Sequence, residues 1–236
     1  MNLRDDRDGP LPPLLLLLTV VTGLVDAASF LKLGHVFVAN MTGNVVFLGF
    51  AIAGAKELSI RASAFALGAF LVGGVAGGRV AVRFATHRGR LLRAALLVQI
   101  AAVVAAVFVA AVAGRPDQGA ARYALIVLLA FAMGVQNATA RRLAVPELTT
   151  TVLTMTLTGI AADSTIAGGR GSKLGQRSLA VIAMFVGALV GALLVLHVDV
   201  AAPLAAAAGV LVVAAVATRA VSRTPAAWTV TSQTRS

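Results

Sequence analysis

The chain has 236 residues, of which 59% are hydrophobic and 12% charged, with a net charge of +11 and no cysteine. A water-soluble domain of this length cannot bury so much apolar surface, so lipid must be the solvent for most of the chain. Without cysteine there are no disulfides, no thiol catalysis and no thiolate metal sites. The 20 Lys and Arg lie in short loops and tails between apolar runs, which is how helix orientation is set. No compact basic domain exists to carry nucleic acid as a partner.

The opening MNLRDDRDGP sets Arg4 and Arg7 against Asp5, Asp6 and Asp8. It lacks the basic head of a cleaved signal, and more apolar runs follow at once. It therefore reads as the start of an uncleaved first helix, with Pro12 and Pro13 in the opening turn. Residues 11–25, 62–78, 94–114, 123–140, 178–196 and 200–218 contain no Asp, Glu, Lys or Arg. Most approach the ~20 residues that a spanning helix needs. Alternation with a period of two is absent, which selects helices over a barrel. Two further apolar segments, 36–55 and 148–162, are rich in Asn and Thr. The tail 221–236 is polar and is expected to lack fixed structure.

The two halves resemble each other. GLVDAASF (23–30) aligns with GVQNATAR (134–141), TGNVV (42–46) with TMTLT (154–158), and Gly73 and Gly77 with Gly187 and Gly191. The run 94–114 then matches the last apolar run. Matches in the same order point to a duplication. The predicted organisation is a tail at 1–10, a first membrane repeat at 11–115, a second at 120–219 and a polar tail at 220–236.

Charge decides how the two odd segments are read. If both only dip into the membrane and return, the far side holds Lys32, Lys56, Arg61, Arg115 and Arg122, and the rest of the 20 cations share the side of the N-terminus. That bias places both termini in the cytoplasm. Three spans per half then makes the repeats inverted, so the dips enter from opposite faces. The expectation is an all-α polytopic membrane protein with six spans and two re-entrant segments. Eight spans is the alternative, since residues 36–55 are long enough to cross.

The polar residues inside apolar runs are the candidate site. Asp26 ends a charge-free helix. A carboxylate at mid-membrane costs ~2.5–3.5 kcal/mol and needs a partner, water or a proton. It reads equally as a proton or cation carrier and as a cap on a backbone break. Asn40, Thr42, Gly43 and Asn44 break a greasy run. Gly43 permits a bend, while the amides and hydroxyl satisfy freed backbone groups or bind a polar solute. Gln136, Asn137, Thr154 and Thr156 are their counterparts in the second half. Gly73, Gly77, Gly187 and Gly191 read as helix packing. Arg141 and Arg142 read as anchors of a cytoplasmic helix end, Gln99 as a lone amide joining helices, and Asp163 as an interfacial partner of Arg170. His35, His87 and His197 are too scattered for a metal centre. No enzyme motif is present and no cofactor is implied.

GLVDAASFLKLGHVFVANMTGN, followed by GVQNATARRL and TTTVLTMTLTG, resembles the YoaK-like bacterial membrane proteins, a family of unknown function. The resemblance covers nearly the whole chain. It implies six transmembrane segments and the bacterial inner membrane, and it carries over no substrate and no catalytic residue. The chain departs from the family pattern at Met155, where a glycine is expected. The functional expectation is a permease for a small solute or ion, with proton or cation coupling at Asp26. The alternative is a membrane scaffold or partner subunit that transports nothing. The lipid bilayer is the one partner the composition requires, and self-association is compatible with the small-residue stripes.

Overall fold

A computed structural model describes residues 8–145, 153–163, 174–222 and 228. Among them the chain forms eight helices and no strand: α1 (Leu11–Lys32), α2 (Met41–Ile52), α3 (Ile60–Arg83), α4 (Arg88–Val112), α5 (Gly119–Leu143), α6 (Leu153–Ala162), α7 (Leu174–His197) and α8 (Ala201–Val221). Six of these are long and apolar enough to cross a membrane: α1, α3, α4, α5, α7 and α8. The 12 residues of α2 and the 10 of α6 rise only about 18 and 15 Å. A hydrocarbon core of ~30 Å is beyond both. The eight-span alternative therefore fails on the length of α2, and the chain is a polytopic helical membrane protein.

The uncharged run 36–55 does not form one long helix. The chain turns back after α1 through Gly34 and His35, whose φ values of 98° and 52° are left-handed. Residues 36–40 then run without helix until α2 begins at Met41. Freed backbone groups at this depth must find partners in protein, and they find them in side chains described below. The first part of the other odd segment, 148–152 with Thr149, Thr150 and Thr151, lies outside the described residues. The described part, from Leu153, is helical.

The spans pack in pairs. The two most extensive contacts are α3 against α5 and α1 against α7, followed by α4 against α5 and α8, and α1 against α8. The short helices lie on the flanks, α2 on α3 and α6 on α7. In the apolar window of each span, 67% of α1 and 61% of α5 is buried, against 22% for α3 and for α7. The two most buried spans, α1 and α5, are thus the centre of the bundle. Leu71, Val72, Val75, Phe185 and Leu189 stand exposed on α3 and α7, where lipid takes the place of a protein partner.

Glycine lets the paired spans touch. A Cβ added to Gly73 would lie 2.1 Å from the carbonyl oxygen of Phe131, and one on Gly134 would lie 2.1 Å from that of Phe70. The α1–α7 crossing has the same construction. A Cβ on Gly187 would meet the Val20 oxygen at 2.3 Å, and one on Gly23 the Ala188 nitrogen at 2.5 Å. Gly77 and Gly191 continue the stripes one turn on, the former against Val135 and Ala138, the latter against Leu24 and Ala27. Backbone approach of this kind drives association where lipid removes the hydrophobic drive.

The bundle end that carries the N-terminus is tied off by charge and one aromatic ring. Arg88 opens α4, pairs with Asp8 at 2.9 Å and donates to the last carbonyl of α5, at Leu143, at 2.6 Å. Trp228 is 6% exposed and covers Gly9, where an added Cβ would sit 2.6 Å from the indole. The expectation of a wholly unfixed tail after 220 is corrected at this residue. An indole has too much apolar area to be left in water when a groove is at hand.

Candidate functional site

The break between α1 and α2 is held by two side chains, each aimed at the same short stretch of backbone. Asp26 lies on α1, is 4% exposed, and accepts from the amides of Val38 (2.9 Å) and Ala39 (2.8 Å) through Oδ1. Asn44 lies in the first turn of α2 and is fully buried. Its Oδ1 accepts from the Phe37 amide at 2.9 Å, and its Nδ2 donates to the Phe37 carbonyl at 2.6 Å. This amide engages both backbone groups of one residue, as a strand neighbour would. Phe37 stacks on Phe30 (4.9 Å between centroids) and Phe47 (5.7 Å), and fills the space a side chain at Gly43 would need. One carboxylate, one amide and three rings thus convert a strip of free backbone into a fixed re-entrant loop. Oδ2 of Asp26 is buried and has no hydrogen-bond partner among the described residues.

Beside this loop, where α3 crosses α5, lies a cavity of about 580 Å³. Its polar lining is Asn40 and Thr42 from the start of α2 and Asn137 and Arg141 from α5. Phe70, Gly74 and Gly134 form its floor at the glycine crossing. Asn40, the residue before α2, makes no side-chain cap, so the first amides of that helix keep their partial positive charge. The size falls in the range of small-molecule sites.

The structure therefore brings together three of the residues that the sequence singled out, Asn40, Thr42 and Asn137. It does not bring the others to the same place. Asp26, Gly43 and Asn44 lie behind the loop and shape it. Gln136 is fully buried and ties α5 to α1, donating to Thr22 Oγ1 at 2.8 Å and to the Leu18 carbonyl at 3.2 Å. Thr154 is exposed on α6, and Thr156 is buried there at 4% exposure. Asp163 pairs with Arg177 at 2.5 Å, while Arg170, its expected partner, lies outside the described residues. Sequence reasoning missed Arg141 as a cavity residue, having read it as an anchor. The signal was its spacing. Asn137 and Arg141 are four apart and share one helix face. Gln99 is fully buried in α4, and neither of its amide atoms has a partner among the described residues. Among the described residues no group of three His, Asp or Glu side chains is placed to hold a metal.

Residues 14–217 match the family described as "Protein of unknown function (DUF1275)". The chain belongs to that family. It is also similar to the UPF0700 transmembrane protein YoaK of Bacillus subtilis (strain 168), with 33% identity over 189 residues, 76% of this chain and 82% of that protein. No solved structure matches. The family resemblance carried by the motifs around Asp26 and Asn137 holds, and the chain is a multi-pass membrane protein of this family.

Proposed function

We propose that the chain is an inner-membrane permease for a small solute, built from two inverted repeats of three spans and one re-entrant helix each. The observation that carries the reading is the cavity at the α3–α5 crossing, where a re-entrant helix start meets polar groups of a central span. Broken helices that present polar groups and half-helix ends to a cavity between spans are the usual construction of such sites.

The packing supports the repeats. Residues Val20, Leu24 and Ala27 of α1 meet the glycines of α7, and the residues 111 positions later, Phe131, Val135 and Ala138, meet those of α3. Gly73 and Gly77 correspond to Gly187 and Gly191 at an offset of 114. Exchanging α1 with α5, α2 with α6, α3 with α7 and α4 with α8 leaves the pattern of neighbouring helices unchanged. With three spans in each half, such an exchange inverts the second half in the membrane. Oδ2 of Asp26 is the buried atom on which a coupling proton or cation would sit.

A second reading, a scaffold or partner subunit, is favoured by one observation. Asp26 and Asn44 are both engaged in holding loop backbone. Face-resolved labelling separates the two. Single cysteines replace Asn40 and Asn137 in the full chain, reconstituted in oriented vesicles, and an impermeant maleimide is added from one face at a time. A permease that alternates exposes these positions to both faces. Labelling from one face alone marks a binding cavity without transport, and silence from both marks packing.

A further inference from the structure

The character of the cavity is set by Arg141. It is the one charged residue among the described lining groups, and no described carboxylate joins it there. Arg141 is exposed and makes no ion pair among the described residues. The acid of the loop is Asp26. It sits behind Val38 and Ala39 with Oδ1 turned to their amides, and does not line the cavity. Asn40, Thr42 and Asn137 are neutral hydrogen-bonding groups that suit either sign of solute. The uncapped start of α2 adds charge of the same sign as Arg141. Met41 and Phe70 give the lining an apolar part.

The two halves differ at this point. Position 141 corresponds to Phe30 in the first half, and position 137 to Asp26. Phe30 is spent in the ring cluster with Phe37 and Phe47. The first half therefore has no cation at the position equivalent to Arg141. We infer that the cavity between α2, α3 and α5 binds a small organic anion, with Arg141 as the residue that selects its charge. Guanidinium forks match carboxylate geometry in two parallel hydrogen bonds, which gives Arg141 direction as well as charge. This rests on the permease reading only for its biological sense, because the charge selectivity of the cavity is measurable without transport.

The chain has no native cysteine. Thr42→Cys in the otherwise unchanged full chain, solubilised in neutral detergent, reports the local potential to small thiol reagents. The anionic sulfonatoethyl and the cationic trimethylammonium-ethyl methanethiosulfonates are compared, each rate divided by its rate with free N-acetylcysteine. A unit charge within the cavity favours the anionic reagent by at least about tenfold. Arg141→Gln abolishes that preference, Arg141→Lys keeps it, and Arg142→Gln leaves it unchanged. Sodium benzoate slows the reaction at constant ionic strength, while neutral benzamide does not. A ratio near one, a preference for the cationic reagent, or a ratio indifferent to Arg141→Gln overturns the inference. So does protection by phosphatidylglycerol micelles without protection by benzoate, which identifies a lipid headgroup as the occupant. Failure of face-resolved labelling in vesicles overturns the permease instead, and leaves the anion preference in detergent untouched.

Discussion

Gly73→Ala adds one methyl group to the tightest crossing in the bundle. In an ordinary helix interior this change stabilises, because alanine is favoured over glycine by ~1 kcal/mol. Here the new carbon would start 2.1 Å from the Phe131 oxygen, with Phe131 C and Cα also within 3.0 Å. All three atoms are backbone, so no side chain can swing away. The helices must part by roughly 1 Å before the contact becomes ordinary. Gly134 returns the same contact from the other side, against Phe70 and Gly74, so the separation is felt along the whole crossing. Overpacking of this kind costs ~1–3 kcal/mol, and the rigid geometry puts it at the upper end. After the helix-propensity gain, a net loss of about 2 kcal/mol is expected. Gly68 lies on the same helix and has nothing within 4 Å of an added Cβ. Gly68→Ala should therefore keep the gain of ~1 kcal/mol. The two variants are to be compared by reversible unfolding in mixed micelles with increasing dodecyl sulfate, followed by helical circular dichroism. Shifts of the same sign for both would show that α3 and α5 do not approach as described. Gly187→Ala, whose methyl would start 2.3 Å from the Val20 oxygen, should follow Gly73→Ala.

Asp26→Asn keeps an acceptor for the Val38 and Ala39 amides and should unfold within about 1 kcal/mol of the parent, whereas Asp26→Ala leaves two buried donors unpaired at ~1–3 kcal/mol each. Equal stability of the two variants in the micelle titration would show that the carboxylate does not hold the loop. Gln99→Leu removes two buried amide atoms without partners and should stabilise by about 1 kcal/mol. A loss of that size instead would reveal a bound water or ligand at Gln99.

Composition alone was enough to determine the class of the molecule, because 59% apolar residues in long uncharged runs leave helices in lipid as the stable arrangement. The asymmetry of Lys and Arg anticipated six spans, and the glycine spacing at Gly73, Gly77, Gly187 and Gly191 anticipated close crossings. These features depend on local sequence and so can be read locally. The partner across each crossing cannot. Nothing near Gly73 specifies Phe131, and only the folded bundle brings an α3 glycine onto an α5 carbonyl.

The site divides the same way. Polar residues in a greasy run announced that something other than lipid contact was needed at Asp26, Asn40, Thr42, Asn44 and Asn137. Their roles depended on direction. Asp26 and Asn44 turn to the backbone of Val38, Ala39 and Phe37, while Asn40, Thr42 and Asn137, the last also donating to the Met133 carbonyl, line a cavity. A hydrogen bond requires a particular atom at about 2.9 Å, and that placement is set by residues far away in the chain. Arg141 shows the limit most clearly. Its sequence position fits an interfacial anchor, and only the packing of α2 and α3 against α5 makes it the charged wall of a cavity.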